Sequence, residues 1–350
     1  MGSVVIVGNG LGMAIAPSKY TLKSALDSVN NIHPKIDLIR KFISNTLPDN
    51  EEMLGQLQLP LFSYRACRLL NIPQEKSELK ELDTILNDYV YEVSCYFHNL
   101  VPYTVIENFI KHLYSYIMRT TSHIATLNYD NLLYKGILKN KYRTDQSIAD
   151  GFLFGPINSR NSYMVYKSKE FNWKIETQPK YLHLHGSPYF VNNSHGIVKL
   201  RDTVTKLYNN TTGDIDEVDG KTKGKHIVLT SVEHKKFIIE NSPLLKKYWS
   251  VLKHLIGKNK TIIIFGYSGY DTHLNELISL YPKKKKAIIE WEEAGKDDGG
   301  CTKEDRLEFW SKRLKTHESN IILEQMANIT EFTAWDSLFE KKKKKQAATA

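Results

Sequence analysis

Short, continuously apolar runs alternate along the chain with stretches in which apolar residues return every three or four positions. The runs are Val4 to Val7, Ile124 to Leu127, Tyr181 to Leu184, His226 to Leu229, Thr261 to Phe265 and Ala287 to Trp291, the last one the pattern supplies. Runs of this length, apolar on both alternating faces, are the signature of strands buried inside a parallel sheet. Helical spacing follows them at Leu132, Leu133 and Ile137, from Phe237 through Leu244, Trp249 and Leu252 to Leu255, and at Leu274, Leu277, Ile278 and Tyr281. The pattern therefore predicts an α/β fold, a Rossmann-like parallel sheet. From about residue 30 to 120 only helical spacing is found, as in Leu38 and Phe42, Leu82, Ile85, Leu86 and Tyr89, and Phe109, Leu113 and Ile117. That predicts a helical insertion forming a smaller subdomain over 30–120, with residues 1–30 and 120–340 making the sheet domain. Between Asn192 and Lys225, Asn, Gly, Thr and Asp accumulate, which predicts a surface loop or linker.

Composition narrows this picture only a little. With 350 residues, 41% hydrophobic and 25% charged, the chain has the balance of a globular protein with a sizeable core. No apolar run approaches the roughly 20 residues of a spanning helix, and Val4 to Ala16 has no basic leader of the kind a secretory signal carries. The expectation is a cytoplasmic protein without a membrane segment. Cys67, Cys95 and Cys301 are isolated, so they suggest reduced structural thiols and no zinc site. The net charge of +9 brings in nucleic acid as a partner. Much of the excess lies in two runs, Lys283 to Lys286 and Lys341 to Lys345, the second inside a tail over 341–350 expected to be disordered. Runs of that kind are ordinarily solvated, so direct nucleic-acid binding stays open but is not favoured.

Candidate chemistry sits where strands end. Val7 runs into Gly8-Asn9-Gly10-Leu11-Gly12, Leu127 into Asn128-Tyr129-Asp130, Leu184 into His185-Gly186, and Phe265 into Gly266-Tyr267-Ser268-Gly269 with Asp271 close behind. The carboxyl ends of parallel strands share one edge, where distant residues converge on a ligand. A glycine turn between strand and helix is a tight turn or a cradle that lets backbone N–H groups approach phosphate. Asn128 offers donor and acceptor, and Asp130 can accept from a ribose hydroxyl, although both also cap helices well. His183 and His185 fall on one face by strand alternation, and Gly186 favours His185 at the open end. Asp271 reads as the N-cap of the next helix, and Glu290 as a solvent-exposed carboxylate or an acceptor for an adenine-ribose hydroxyl.

In this order the four segments resemble the sirtuin (SIR2) family and its divergent SIR2-like branch of bacterial anti-phage defence. Gly8 to Gly12 is similar to the family's opening glycine motif, and Thr126-Leu127-Asn128-Tyr129-Asp130 to its Thr-Gln-Asn-Ile-Asp segment. His185-Gly186 is similar to its catalytic His-Gly, and Gly266-Tyr267-Ser268 to its Gly-Thr-Ser loop. The resemblance covers roughly residues 1 to 30, 120 to 190 and 225 to 295. It implies NAD across the open strand ends, with Gly8, Asn9, Gly10, Leu11, Gly266, Tyr267, Ser268 and Asp271 as cofactor-binding residues and Asn128, His185 and Asp130 as catalytic ones. The deacetylases' four-cysteine zinc module and their Gly-Ile-Pro-Asp-Phe-Arg loop are missing from the chain, and Gly12 stands where the family usually has Ser. The expected activity is therefore that of the SIR2-like NAD hydrolases, with NAD as substrate and no zinc. The resemblance further implies a homo-oligomer, joined here through the helical insertion, and a separate regulatory partner such as an ATPase of the HerA translocase type. Two other readings remain open, an NAD- or ADP-ribose-binding regulatory module without turnover and a nucleic-acid-binding accessory protein.

Overall fold

A computed structural model of the chain describes residues 2–70, 72, 77–98, 100–144, 148–154, 163–166, 178–193, 196–200, 223–296 and 302–339. The tail over 341–350 and Cys301 lie outside these residues. Among the described residues, six parallel strands form the central sheet: β1 Ser3–Val7, β2 His123–Thr126, β5 Tyr181–His183, β8 Thr261–Phe265, β9 Lys285–Trp291 and β10 Ile321–Met326. Their spatial order is β10-β9-β8-β1-β2-β5. The chain winds outward from β1 through β2 to β5, then returns to the other side of β1 and winds outward again through β8 to β10. That reversal makes the crevice between the carboxyl ends of β1 and β8 a topological switch point, where ligands bind in doubly wound sheets.

β1 is buried along its whole length and Thr261 is the one partly exposed residue of β8, as an inner strand covered on both faces requires. Helices α1 (Gly10–Ile15), α8 (Leu132–Thr144) and α11 (Thr272–Ser279) follow β1, β2 and β8. Before β8 come α9 (Val232–Asn241) and α10 (Pro243–Lys258); α10 is capped by Ser242 and buries Leu245, Tyr248, Leu252 and Leu255. Between β1 and β2 the described residues hold helices and no strand: α2 (Leu22–Ile32), α3 (Ile36–Phe42), α4 (Glu51–Gln56), α5 (Gln58–Leu69), α6 (Ser77–His98) and α7 (Glu107–Thr120). Their inner residues, among them Leu82, Tyr89, Val93 and Leu113, belong to the same continuous apolar core as Val4 to Val7.

Four expectations are corrected. First, His226 to Leu229 is not a strand of the sheet. It follows a turn and crosses over the end of β5, where Ile227 forms an isolated bridge with Gly186 and Val228 N–H donates to His185 O at 2.9 Å. Second, a sixth strand, β10, lies beyond β9 at the sheet edge, followed closely in register by β9. Third, the polar stretch after Asn192 enters a four-stranded antiparallel sheet of β3 (Phe152–Phe154), β4 (Tyr163–Tyr166), β7 (Gly196–Leu200) and β6 (Phe190–Asn193), in that order. Lys199 on β7 anchors it, pairing with Asp150 and bonding Tyr134 Oη at 2.6 Å. Residues 201–222 of the same stretch are outside the described ones. Fourth, the charge run at 283–286 is not wholly solvated. Lys286 is fully buried, with Nζ bonded to the carbonyls of Tyr281 (3.0 Å), Pro282 (3.4 Å) and Lys284 (3.0 Å) and to Thr316 Oγ1 (3.2 Å), and burial pushes its ammonium down to about 8. Among the described residues no helix is long and apolar enough to cross a membrane.

Candidate active site

Parallel register carries four loops to one edge. Val7 pairs with Thr126 and Phe265, and Thr126 with His183, so the segments after β1, β2, β5 and β8 leave the sheet side by side. The first and last of them pack against each other. Gly10 N–H donates to Gly266 O at 2.7 Å, and a Cβ on Gly8 or Gly10 would come within 2.7 or 2.6 Å of that same oxygen. Gly266 itself has φ +56. These glycines are thus accounted for by backbone meeting backbone across the switch point. Leu11 is core, while Asn9 and Ser268 are the exposed polar side chains of the two turns, Asn9 Nδ2 donating to Tyr20 O at 2.8 Å. Tyr267 braces its own loop, since its buried hydroxyl donates to Asp271 O (2.9 Å) and accepts from Asp271 N–H (2.8 Å).

His185 lies just past the end of β5, and Gly186 after it has φ +82. A Cβ at Gly186 would sit 1.6 Å from His226 O, so the turn that aims His185 admits glycine alone. His185 Nε2 lies 3.1 Å from Asp271 Oδ2. Asp271 does cap α11, its Oδ1 accepting from Leu274 N–H at 2.9 Å. The expectation that counts Asp271 among the cofactor-binding residues thus meets a buried carboxylate with both oxygens engaged. Burial alone would raise that carboxyl, but the bond to His185, the Lys235 ammonium and the Leu274 N–H hold it well below the usual carboxylate range. With Nε2 on the carboxylate, Nδ1 is the ring's remaining polar atom.

Two further charges belong to this cluster, and neither carries a signal in the sequence. Lys235 Nζ, buried on α9, lies 3.5 Å from Asp271 Oδ2 and 2.9 Å from Glu51 Oε2 on α4. Burial would lower the Lys235 ammonium, yet Glu51 and Asp271 more than offset it and keep it above the ordinary lysine value. Both residues stand in doublets, Glu51-Glu52 and Lys235-Lys236, of the kind that decorates any helix surface.

Asn128 and Asp130 sit beside this cluster, next along the edge. Asn128 is buried; its side chain bonds Asp130, and its Oδ1 is left without a partner. Burial pushes the Asp130 carboxyl up to about 6, against the opposing Leu132 N–H and Asn128 amide. The buried Tyr20 hydroxyl, close enough for the Asp130 charge to raise it further, also has no partner, nor has Thr230 Oγ1 two residues beyond Val228. Buried polar groups are bonded almost without exception, so unpaired ones gathered at a sheet edge mark where a ligand or ordered water belongs. Rings of Tyr20, Phe97, Tyr129 and His185 follow one another at 6.4, 6.1 and 6.3 Å, lining the way from the first turn to the histidine.

Two candidates fall elsewhere. His183 closes β5 within a cage of Tyr134, Tyr181 and Phe190, at centroid distances of 5.0, 4.8 and 5.3 Å. The alternation that would put both on one face stops because the strand stops. Glu290 is neither exposed nor offered to a ribose. It is buried and takes Arg306 Nε (3.0 Å) and Nη2 (2.8 Å), Trp310 Nε1 (2.9 Å) and Gln325 Nε2 (3.3 Å).

A family described as a domain of unknown function, DUF4917, matches residues 5–289. The chain belongs to the DUF4917 family. No curated protein matches the chain. The DUF4917 span opens inside β1 and closes inside β9, so it contains all four edge loops together with Glu51 and Lys235, while β10 and α12 (Lys303–Arg313) lie beyond it.

Proposed function

We propose that this chain is an NAD+ glycohydrolase that cleaves NAD+ to nicotinamide and ADP-ribose, acting as a regulated effector of bacterial anti-phage defence by NAD+ depletion. The observation that carries the reading is the His185–Asp271 dyad set beside a buried, unpaired Asn128 Oδ1 at the carboxyl edge of a doubly wound sheet. A histidine whose one nitrogen is fixed by a carboxylate presents the other as a base of defined orientation. In the reaction the C1′–N bond breaks and its electron pair leaves with the nicotinamide nitrogen, which becomes neutral and needs no acid. Water adds to C1′ and gives its proton to His185, while Asp271 stabilises the resulting imidazolium. Asn128 holds the ribose and the water, and Asp130, with its raised carboxyl, meets the nicotinamide amide. Positive charge growing on the ribose is favoured by the carboxylates nearby.

Incubating the protein with NAD+ and following nicotinamide and ADP-ribose by chromatography tests this. Product is expected, with a fall of 100-fold or more, in the range of about 10²–10⁴ for a lost general base, in His185→Ala and a comparable fall in Asn128→Ala. Full activity in either folded variant overturns the assignment, and NAD+ binding without any cleavage makes the protein a regulatory module.

An effector that depletes NAD+ must be restrained in its own cell, and self-association supplies one restraint; a separate regulatory partner is the other. Supporting the first, Ile32, Leu59, Leu70 and Val105 on the helical segment are each more than half exposed. Light scattering at micromolar concentration is expected to give more than one copy per particle; a monomer there removes this part of the reading.

A further inference from the structure

His185 is tied to the helical segment through a chain of alternating charges. Glu51 on α4 bonds Lys235 on α9 at 2.9 Å, Lys235 reaches Asp271 at 3.5 Å, and Asp271 holds His185 at 3.1 Å. The last three side chains are buried, and Glu51 is partly exposed. The contact between α4 and α9 that joins the first link is tight, since a Cβ on Gly55 would lie 2.2 Å from Ser231 Oγ, the hydroxyl just ahead of α9. Lys235, Asp271 and His185 are shielded from water, where charges at these separations act on each other far more strongly than surface pairs do.

We propose that Lys235 is a positioning residue that divides the Asp271 carboxylate between itself and His185, and that Glu51 sets the share. When Glu51 holds Lys235, more of the Asp271 charge faces His185 and favours its protonated form. When α4 draws away, Lys235 leans on Asp271 alone and His185 gives up its proton more readily. The position of a helix outside the sheet thereby controls the ionisation of the candidate base. The proposal rests on the reading of His185 as that base. The other groups facing the dyad are the Tyr129 hydroxyl, bonded to Val228 O, and the Tyr267 hydroxyl on the Asp271 backbone.

The two ends of the chain should act in opposite directions, which simple loosening of structure would not produce. In Lys235→Met the titration midpoint of His185, read by NMR from labelled imidazole nitrogens, is expected to rise by about one pH unit, because the opposing cation is gone. In Glu51→Gln it is expected to fall, and in Lys235→Arg to stay near that of the parent protein. The acid limb of NAD+ cleavage should move with the midpoint in each variant. Shifts of the same sign in Lys235→Met and Glu51→Gln, or no shift, overturn the proposal. The NMR midpoint is read without turnover, so absence of NAD+ cleavage would sink the activity and leave this test intact. Glu51→Gln alters a partly exposed side chain, so the prediction stands on it even if Lys235→Met does not fold.

Discussion

His183 and His185 stand two positions apart in Leu-His-Leu-His, and the difference between them lies in the residue that follows. Gly186 turns the chain left-handed just after β5 and tucks under the His226 carbonyl, which sets His185 toward Asp271. The sequence made His185-Gly186 legible as a pair, because only a glycine suits an abrupt strand exit. It could not show what the glycine makes room for, since the 223–230 segment that crosses it lies some 40 residues later. Gly186→Ala is expected to cost about 3 kcal/mol or more, combining a Cβ pressed onto backbone with an unfavourable φ. The crossing also carries the Val228 N–H bond to His185 O, so NAD+ cleavage should fall with stability. Urea unfolding compared with the parent at equal slope measures the first; a midpoint unchanged from the parent would mean that the turn tolerates a side chain. Asp271 was equally readable as a cap, but its second oxygen was not, because its partners come from the turn after β5 and from α9.

Among the elements, the strands that the pattern marked clearly are those apolar on both faces, and β1, β2, β5, β8 and β9 all lie where such runs fall. Those it missed or misplaced have mixed faces. β10 reads Ile-Ile-Leu-Glu-Gln-Met, with a half-exposed outer flank, because it is the edge of the sheet and has a neighbour on one side only. β6 ends in two Asn and β7 opens on Gly, which hides them in a polar stretch, yet β7 pairs with both β6 and β4, and the two strands bury Phe190, Val191, Val198 and Leu200 beside the Lys199, Asp150 and Tyr134 contacts. His226 to Leu229 has strand composition yet forms only a single bridge, since its apolar side chains are buried by crossing β5 instead of by joining the ladder. Polar residues inside β9 misled in the opposite direction. Lys286 and Glu290 are tolerated in a buried strand because one is met by three carbonyls and a hydroxyl and the other by arginine, tryptophan and glutamine donors, partners drawn from 281–284 and from elements beyond 300. The carboxyl edge was therefore recoverable from local pattern, while the charges that tune it were not.

At the scale of the whole molecule, the buried histidines set the response to acid. Burial pushes His183 and His98 down to about 3, and His123 and His226 down to about 4. Each is neutral in the folded protein at a pH where the unfolded chain, with an ordinary histidine value of about 6.5, would bind a proton. Stability from these four is fully present above that value and is lost as pH falls toward the folded ones. Asp130 and Glu92 oppose them, since burial raises their carboxyls to about 6 and about 7 and the folded state holds those protons longer. The four imidazoles outnumber the two carboxyls, so between the two sets of values these groups on balance make unfolding take up protons. Thermal melts are accordingly expected to fall steadily from about pH 6 to pH 4, with net proton uptake on unfolding. His183→Phe, which fills the cage of Tyr134, Tyr181 and Phe190 with a ring that cannot titrate, should flatten the slope by close to one proton. A melting temperature that holds level over that range, or a slope identical in His183→Phe, would mean that these imidazoles are not held neutral by burial.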